Sequence, residues 1–211
     1  MSNLVQQVNC LSKKELDEAL KIAKSFEDQD YHEAMTSDGV DDKVRVCQVR
    51  PLFDEDYRDT DLQAALKEGP NRAVFGYTRE LANVSPDLPK FLQGYSYTQD
   101  ETTYNPEWEG WQLLKYGPNQ FYGWHSDQSP LPWVNTHTRI LSIVLYLNND
   151  FVGGRTLFAE RAYKPYPGQA LVFPSDPPFR HCAEPIEEGT KYALVNWLRS
   201  PFKIPGPPAD D

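Results

Sequence analysis

The apolar residues near the N-terminus recur at helical spacing. Residues 12–27 carry an apolar stripe made of Leu16, Leu20, Ile22, Ala23 and Phe26, the pattern of an amphipathic helix. Ser12 stands at the N-cap position, and Glu15, three residues later, completes a capping box. We therefore predict a helix over residues 12–27 that braces a sheet, followed by a polar and acidic loop over residues 28–42.

The next part of the chain mixes strand and helix patterns. Residues 43–49 alternate along the chain, which predicts a strand. Residues 61–67 and 71–82 have helical patterns, and the Gly69-Pro70 pair between them predicts a break. Two further strands are predicted, over residues 92–99 and 110–116.

From Trp111 onward the pattern changes to short strands separated by glycine, proline and asparagine. The predicted strands cover residues 111–116, 121–127, 139–147, 155–160, 168–174, 180–186 and 191–199. Short strands with turn residues at this spacing are typical of a β-sandwich or a jelly roll. The sequence therefore predicts a mainly β fold with flanking helices.

Composition and charge narrow the classes of function. The 211-residue chain has the length of one domain and a net charge of −10, which argues against binding of a nucleic-acid backbone. We find neither a signal peptide at the N-terminus nor an apolar run of transmembrane length. The three cysteines, Cys10, Cys47 and Cys182, are widely spaced and contain no CxxC pair, as expected in a reducing cytoplasm. We expect a cytoplasmic monomer without nucleic-acid or membrane partners.

Many aromatic residues lie between Tyr95 and Trp133, without accompanying basic residues. Such a run suits a groove for an apolar or proline-containing peptide better than a groove for nucleic acid. Packing of the same side chains in the core and rim of a sandwich explains most of them equally well. The aromatic run alone does not decide between these interpretations.

The stretch Gly123-Trp124-His125-Ser126-Asp127 carries the candidate chemistry. A His and an Asp two apart on a strand project from one face and can hold a divalent metal ion. His181 is a candidate third ligand, and two His with one carboxylate form the facial triad of non-haem Fe(II) oxygenases. Lys191 begins the next predicted strand, and the connection over residues 183–190 predicts that the strands of His181 and Lys191 form a hairpin.

Together these motifs resemble the Fe(II)/2-oxoglutarate-dependent dioxygenases, and in particular the prolyl hydroxylases. The likeness runs from about Trp111 to Arg199. Besides HxD, the distal His and the Lys ten residues later, it includes Tyr116 to Tyr122, Arg139 leading into Leu145 to Asn148, Gly153 to Thr156, Pro167 to Phe173, and Trp197.

The resemblance implies a double-stranded β-helix (jelly-roll or cupin-like) core braced by N-terminal helices. It implies one oxygenase domain over residues 1–200, with residues 1–105 as support and 106–200 as the core. A proline-rich tail would follow over residues 201–211.

The resemblance also implies cofactors and residue roles. The enzyme would use Fe(II), 2-oxoglutarate and O₂, with ascorbate as a further candidate cofactor, and would release succinate and CO₂. His125, Asp127 and His181 would bind Fe(II), and Lys191 would pair with the far carboxylate of 2-oxoglutarate. The remaining residues with implied roles are Tyr116 and Tyr146 for the co-substrate, and Tyr122, Arg139 and Trp197 near the substrate or the iron.

The sequence departs from the pattern of many prolyl hydroxylases at Arg155, where those enzymes have Glu. This difference bears on the substrate rather than on the iron site. We expect hydroxylation of a prolyl residue in a protein or peptide. Hydroxylation of a free amino acid or another small molecule, a catalytically inactive jelly-roll binding module and a zinc hydrolase are the alternatives.

Overall fold

A computed structural model describes residues 2–34, 41–52, 56, 61–87, 97–99, 102–104, 106–128 and 137–203. Within these residues the chain forms two α-helices and two large antiparallel sheets with a cavity between them. This is a double-stranded β-helix core with N-terminal helices, so the predicted fold class is confirmed.

The first helix, α1 (Lys13–Ser25), begins with the predicted capping box. The Glu15 carboxylate accepts from the Ser12 backbone N–H at 2.7 Å, and the Ser12 hydroxyl accepts from the Glu15 N–H at 3.4 Å. These bonds satisfy N–H groups that have no partner in the first helical turn. Ala19 and Ala23 on the apolar stripe are buried, and the predicted helix is confirmed.

The second helix, α2 (Asp61–Val84), runs without interruption through Gly69 and Pro70, so the predicted break is wrong. Pro70 has no N–H and leaves the Leu66 carbonyl without its helical partner. The indole Nε1–H of Trp111 donates to that carbonyl at 2.7 Å. The Cys10 thiol lies 3.5 Å from the Gly69 carbonyl oxygen. Partners distant in sequence therefore support this turn of the helix, and local patterns do not reveal them.

The strands are short and, in chain order, β1 (Gln6–Asn9), β2 (His32–Glu33), β3 (Arg45–Val46), β4 (Gln48–Pro51), β5 (Tyr97–Gln99), β6 (Thr102–Tyr104), β7 (Glu107–Trp108), β8 (Gln112–Tyr116), β9 (Phe121–His125), β10 (His137–Tyr146), β11 (Val152–Gly153), β12 (Thr156–Phe158), β13 (Arg161–Tyr163), β14 (Gln169–Pro174), β15 (His181–Ala183), β16 (Ile186–Glu188) and β17 (Lys191–Lys203). The sequence pattern did not predict the strands β1, β2, β6, β7, β11, β13 and β16.

The major sheet has the strand order β1-β14-β10-β17-β8-β4-β2, and β7 pairs with β17 at one end. One face of this sheet packs against α1 and α2. The largest apolar cluster includes Leu62 and Tyr77 of α2 together with Leu113, Ile143 and Leu194 of the sheet. Burial of these apolar side chains favours the folded state and fixes which face of the sheet remains for the cavity.

The minor sheet has the strand order β13-β12-β15-β9-β3, and two short ladders, β11-β16 and β5-β6, complete the topology. The strands that begin at His181 and Lys191 do not form the predicted hairpin. β15 pairs with β12 and β9 in the minor sheet, whereas β17 pairs with β10 and β8 in the major sheet. Between them β16 pairs with β11 and carries the chain from one sheet to the other. A hairpin turn and a connection that crosses from one sheet to the other use the same types of turn residue. The sequence spacing alone therefore did not distinguish the two.

The segment predicted as one strand over residues 43–49 also crosses between sheets. It divides at the buried Cys47 into β3, which pairs with β9, and β4, which pairs with β8. The strand β2 lies in the predicted loop over residues 28–42 and pairs with β4. Residues 35–40 of that loop lie outside the described residues.

Several predicted boundaries shift. β9 ends at His125 rather than at residue 127, and β17 continues to Lys203 into the predicted tail. The predicted strand over residues 92–99 is described only at Tyr97–Gln99, and residues 204–211 of the tail lie outside the described residues. The division into a support region and a core stays a prediction, although β1, β2 and β4 from the first part of the chain belong to the major sheet.

All three cysteines are buried and none forms a disulfide. Cys182 neighbours His181 and is packed in the fold, as predicted for a thiol that is not a ligand. In the part of the chain that the structure describes, no helix is both long and apolar enough to cross a membrane.

Candidate active site

A cavity of about 440 Å³ lies between the major and minor sheets. Its walls bring together residues that are far apart in the sequence. The predicted site residues that line it are His125, Asp127, His181, Lys191, Tyr116, Tyr122, Arg139 and Trp197. Tyr146 is the predicted site residue that does not line the cavity.

The two histidines of the candidate metal site lie on neighbouring strands. His125 at the end of β9 is the direct cross-strand partner of His181 at the start of β15. The Nε2 atom of His125 lies 3.6 Å from Asp127 Oδ1, and the Nε2 atom of His181 lies 3.8 Å from Asp127 Oδ2. One candidate ligand atom from each residue falls within 4.8 Å of the others. The three side chains therefore converge on one point at the cavity wall.

Asp127 reaches this point although it lies beyond the end of β9. The two side chains converge as predicted, but not because they share a strand face. That part of the prediction is wrong, since the pairing of β9 does not extend to Asp127. The backbone carbonyl of Asp127 instead accepts from the guanidinium of Arg139 at 3.2 Å. A bend held by side chains, rather than strand alternation, aims the carboxylate at the two imidazoles.

A hydrogen bond at Nδ1 fixes the orientation of each imidazole ring. The Nδ1 atom of His125 lies 2.8 Å from the Gly123 carbonyl oxygen, and that of His181 lies 3.1 Å from the Phe179 carbonyl oxygen. A carbonyl only accepts, so Nδ1 carries the proton in both rings and Nε2 keeps its lone pair for a metal. Such a carbonyl partner is the usual way in which a metal-binding histidine is held.

The protonation states also fit a metal site. Burial lowers the pKa of His181 to about 4, against the attraction of Asp127, so the ring is neutral at physiological pH. Burial raises the pKa of Asp127, but the neighbouring His181 and His125 outweigh it and hold that pKa well below its usual range. Two imidazoles and one carboxylate on one side are a donor set that fits Fe(II) and leaves other positions free.

Lys191 places a buried ammonium in the same cavity. Lys191 is 2% exposed, and its Nζ donates to the Gly154 carbonyl at 2.8 Å. Burial lowers the pKa of Lys191 to about 8, against the attraction of Cys47 and Glu184. Among the described residues, no carboxylate lies within ion-pair distance of this ammonium. A buried cation is favourable only when an anion pairs with it, so the site is suited to an anionic ligand.

The two tyrosines predicted beside the co-substrate have different environments. Tyr116 on β8 is the cross-strand partner of Lys191 on β17, and the ammonium lies 5.4 Å from its ring centroid. Tyr146 is fully buried, and its hydroxyl lies 2.8 Å from the Thr156 hydroxyl. Thr156 lines the cavity. Burial raises the pKa of both phenols, so each stays protonated.

Arg139 and Trp197 form one wall of the cavity. The Arg139 guanidinium lies 3.7 Å from the Trp197 ring centroid and donates to both carboxylate oxygens of Glu109, at 2.9 and 2.8 Å. This bidentate pair and the stacked ring fix the orientation of the guanidinium. On the opposite sheet, the ring of Tyr122 stacks on that of His125 with 3.4 Å between centroids.

Sequence reasoning missed several residues that the fold brings to the site. Arg45 lines the cavity and lies over the Tyr122 ring, 4.4 Å from its centroid. Glu109 was not predicted as a site residue, because an acidic residue next to a glycine is not a recognisable motif. Thr156 belongs to the Gly-Gly-Arg-Thr motif, yet nothing in the spacing marked its hydroxyl as a partner of Tyr146. These contacts join separate strands and so leave no periodic signal in the sequence.

Arg155, the departure noted in the sequence, points away from the cavity lining. Its guanidinium donates to both oxygens of Glu184, each at 2.6 Å. The loop behind it is tight, because Gly154 has φ 65° and a Cβ there would lie 2.5 Å from Ile186 Cδ1. Glycine is therefore required next to Arg155, where the carbonyl that holds Lys191 is located.

Arg155→Ala is expected to leave divalent-metal affinity within about twofold of the parent protein, because an exposed ion pair contributes little and lies outside the cavity. A Co(II) titration of the apoprotein measures this, with Arg155→Lys as the control that keeps the charge. A loss of affinity as large as that of a triad variant would contradict the peripheral position of Arg155.

Comparison with known proteins matches the region that carries the site. Residues 111–199 match the family model described as the 2OG-Fe(II) oxygenase superfamily. A protein provisionally named prolyl 4-hydroxylase from Acanthamoeba polyphaga mimivirus is 32% identical over 108 residues, which cover 43% of this chain and 45% of that protein. A PKHD-type hydroxylase from Idiomarina loihiensis is 30% identical over 99 residues, covering 44% of this chain and 43% of that protein. The chain thus spans less than half the length of these relatives.

Solved structures show the same fold over nearly the whole chain. A viral collagen prolyl hydroxylase from Paramecium bursaria Chlorella virus-1, with 2-oxoglutarate bound, has a TM-score of 0.62 at 18% identity, covering 93% of this chain and 96% of that one. A Trichoplax adhaerens prolyl hydroxylase, in complex with a hypoxia-inducible-factor peptide, has a TM-score of 0.63 at 16% identity, covering 94% and 84%. Residues 111–199 are thus similar to the 2OG-Fe(II) oxygenase superfamily, and the fold is similar to that of solved prolyl hydroxylases.

Proposed function

We propose that this protein is an Fe(II)- and 2-oxoglutarate-dependent dioxygenase that hydroxylates a prolyl residue of a protein or peptide and releases succinate and CO₂. The observation that carries the proposal is that one cavity holds both a His-Asp-His cluster and a buried ammonium without a carboxylate partner among the described residues. A structural metal site explains the cluster alone. The ammonium beside it calls for an anionic ligand as well.

The residues have separate tasks in this proposal. His125, Asp127 and His181 hold Fe(II) through two Nε2 atoms and a carboxylate. When bound, Fe(II) with 2-oxoglutarate and O₂ supplies the oxidising power that protein side chains lack. The sheets that enclose the cavity exclude water from this chemistry, and the carbonyls of Gly123 and Phe179 keep the imidazoles in the required tautomer.

The co-substrate is oriented by residues of both sheets. Lys191 pairs with the carboxylate of 2-oxoglutarate that lies away from the metal, and Tyr116 and Thr156 offer hydroxyl groups beside it. The indirect position of Tyr146 gives it the role of fixing the Thr156 hydroxyl. A dicarboxylate would therefore find a partner for each carboxylate, in a metal held by the His-Asp-His cluster and in the Lys191 ammonium.

The cavity surfaces suit a prolyl residue as the substrate. The Trp197 ring with its stacked Arg139, and the Tyr122 ring on the facing sheet, give flat apolar surfaces suited to a pyrrolidine ring. The names of the relatives and the structural neighbours favour the same substrate. Hydroxylation of a free amino acid is the alternative, and a screen that contains both proline-containing peptides and free proline separates the two. Stimulation by ascorbate stays a prediction.

The test is an anaerobic Fe(II) titration with and without 2-oxoglutarate, followed by O₂, peptide and a succinate assay. We expect a weak visible charge-transfer band that needs both Fe(II) and 2-oxoglutarate, and a 16-Da mass gain on a proline-containing peptide. Absence of the band would leave the binding-module interpretation. Hydrolytic activity with zinc but without 2-oxoglutarate would favour the hydrolase.

The affinity for 2-oxoglutarate is expected to fall as the pH rises through about 8, because burial lowers the pKa of Lys191 to about 8 and only the protonated amine pairs with a carboxylate. Above that pH the loss should be roughly tenfold per unit. Calorimetry with Mn(II) in place of Fe(II) measures it. Lys191→Arg is the control, since a guanidinium stays charged and the profile should be flat. A parent profile as flat as that of the arginine variant would contradict the role of the ammonium.

A further inference from the structure

Two fully buried serines, Ser142 on β10 and Ser175 after β14, lie behind the Asp127 carboxylate. Each is 1% exposed, and their hydroxyl oxygens are 2.8 Å apart. Ser142 lies between Leu141 and Ile143 on β10 and projects from the opposite face of the strand to these two residues of the apolar core. A buried hydroxyl is unfavourable there unless it has a hydrogen-bonding task.

The direction of the hydrogen bonds follows from chemistry. The Ser142 hydroxyl is close enough to the Asp127 carboxyl to contribute to lowering its pKa. An ionised carboxylate can only accept a hydrogen bond, so in a bond between the two groups Ser142 is the donor. Its one proton is then used, so the Ser175 hydroxyl donates to Ser142. The pair forms a chain that runs from Ser175 through Ser142 to Asp127.

The backbone of Ser175 holds the same bend. Its carbonyl oxygen accepts from the Ser126 hydroxyl at 3.0 Å and from the Gln128 backbone N–H at 3.0 Å. The residues on both sides of Asp127 are thus tied to Ser175, and Ser175 N–H donates to the Ile140 carbonyl of β10 at 3.0 Å. Since no strand ladder fixes Asp127, these bonds and the Arg139 contact replace it.

We propose that Ser142 and Ser175 are positioning residues, a hydroxyl relay that orients the Asp127 carboxylate for the metal ion without contacting the ion. The inference rests on the metal site of the proposed function. Residues behind a metal ligand typically change metal affinity by about 10- to 100-fold when removed, because they set the orientation and basicity of the ligand.

The test is a titration of the apoprotein with Co(II), followed by visible absorption, which reports both affinity and coordination. Ser142→Ala should bind Co(II) about 10- to 100-fold more weakly and with an altered spectrum. Ser175→Ala should lose less affinity, because Ser142 still donates to Asp127 but is no longer held itself. Ser142→Thr keeps the hydroxyl and should restore the affinity and the spectrum.

The control is Ser200→Ala on β17, which removes a buried hydroxyl outside the cavity lining and should leave Co(II) binding unchanged. Chemical denaturation of each variant measures the loss of stability. Equal losses of affinity in Ser142→Ala and Ser200→Ala would overturn the relay, since general destabilisation would then explain both. If Ser142→Ala does not fold, Ser175→Ala carries the test, and binding equal to that of the parent protein overturns the relay.

Different outcomes of the titration overturn the metal site and the hydroxyl relay. A parent protein that binds no Co(II) overturns the metal site and the relay with it. A parent protein that binds Co(II) while Ser142→Ala binds it equally well, with the same spectrum, overturns the relay and leaves the metal site in place.

Discussion

Lys191→Ala is expected to weaken 2-oxoglutarate binding by about 10- to 100-fold, since a hydrogen bond to a charged group contributes roughly 1.5–3 kcal/mol. The structure explains why no other group substitutes. Lys191 is 2% exposed, its ammonium donates to the Gly154 carbonyl, and Nζ lies 5.4 and 5.5 Å from the ring centroids of Tyr116 and Tyr146. Metal affinity without co-substrate should be unchanged, because the ammonium faces the other end of the dicarboxylate.

Anaerobic calorimetry with Mn(II) and 2-oxoglutarate measures this prediction. Lys191→Arg should retain part of the affinity through its charge. Lys115→Ala is the matched control, because Lys115 lies on the neighbouring strand β8 but pairs with the exposed Asp28 rather than facing the cavity. Unchanged binding in Lys191→Ala would remove the main support for a dicarboxylate co-substrate.

Replacing Lys191 by an uncharged residue is also expected to affect stability. Burial lowers the pKa of Lys191 because the charged form loses hydration without a carboxylate to replace it. Lys191→Met, which keeps the length of the chain and removes the charge, should therefore raise the free energy of unfolding of the ligand-free protein. A gain in stability together with a loss of co-substrate binding is the pattern of a group kept for function.

Asp127→Ala is expected to reduce turnover below detection while leaving the fold intact. The carboxylate is the only anionic member of the cluster, and its two oxygens lie 3.6 and 3.8 Å from the Nε2 atoms of His125 and His181. Two imidazoles alone bind a hard divalent cation poorly and do not define the facial geometry. The backbone bonds that hold the bend do not use the Asp127 side chain, so the substitution should not unfold the loop.

Succinate release and Co(II) titration measure the loss, and circular dichroism with chemical denaturation checks the fold. Asp17→Ala, on the solvent face of α1, is the control for a lost carboxylate. A folded Asp127→Ala variant with undiminished turnover would show that the metal assignment is wrong.

Local sequence patterns predicted much of this protein correctly. The capping box of Ser12 and Glu15 and the stripe behind it depend only on neighbours within a helical turn, and α1 begins as expected. The short strands of the C-terminal half follow from alternation and turn residues. The motifs around His125, His181 and Lys191 favoured the oxygenase hypothesis because the residue types required for that chemistry are few.

The errors arose where partners distant in sequence decide the outcome. Pro70 remains inside α2 because Trp111 takes the freed Leu66 carbonyl. His181 and Lys191 face one cavity from opposite sheets rather than from a hairpin, since strand pairing depends on which surfaces bury each other. The role of Tyr146 stays a prediction: Tyr146 does not line the cavity, but its hydroxyl lies 2.8 Å from that of Thr156, which does.

By itself, then, the sequence predicted most of the elements, the candidate metal ligands and the candidate cation for an anionic partner, because each depends on residues close together in the chain. Only the tertiary structure decided how Asp127 is aimed. That residue lies past its strand, and Arg139 on β10 and the backbone carbonyl of Ser175, just after β14, hold the backbone around it. Contacts of this kind join points far apart in the chain, and they form only when the sheets pack.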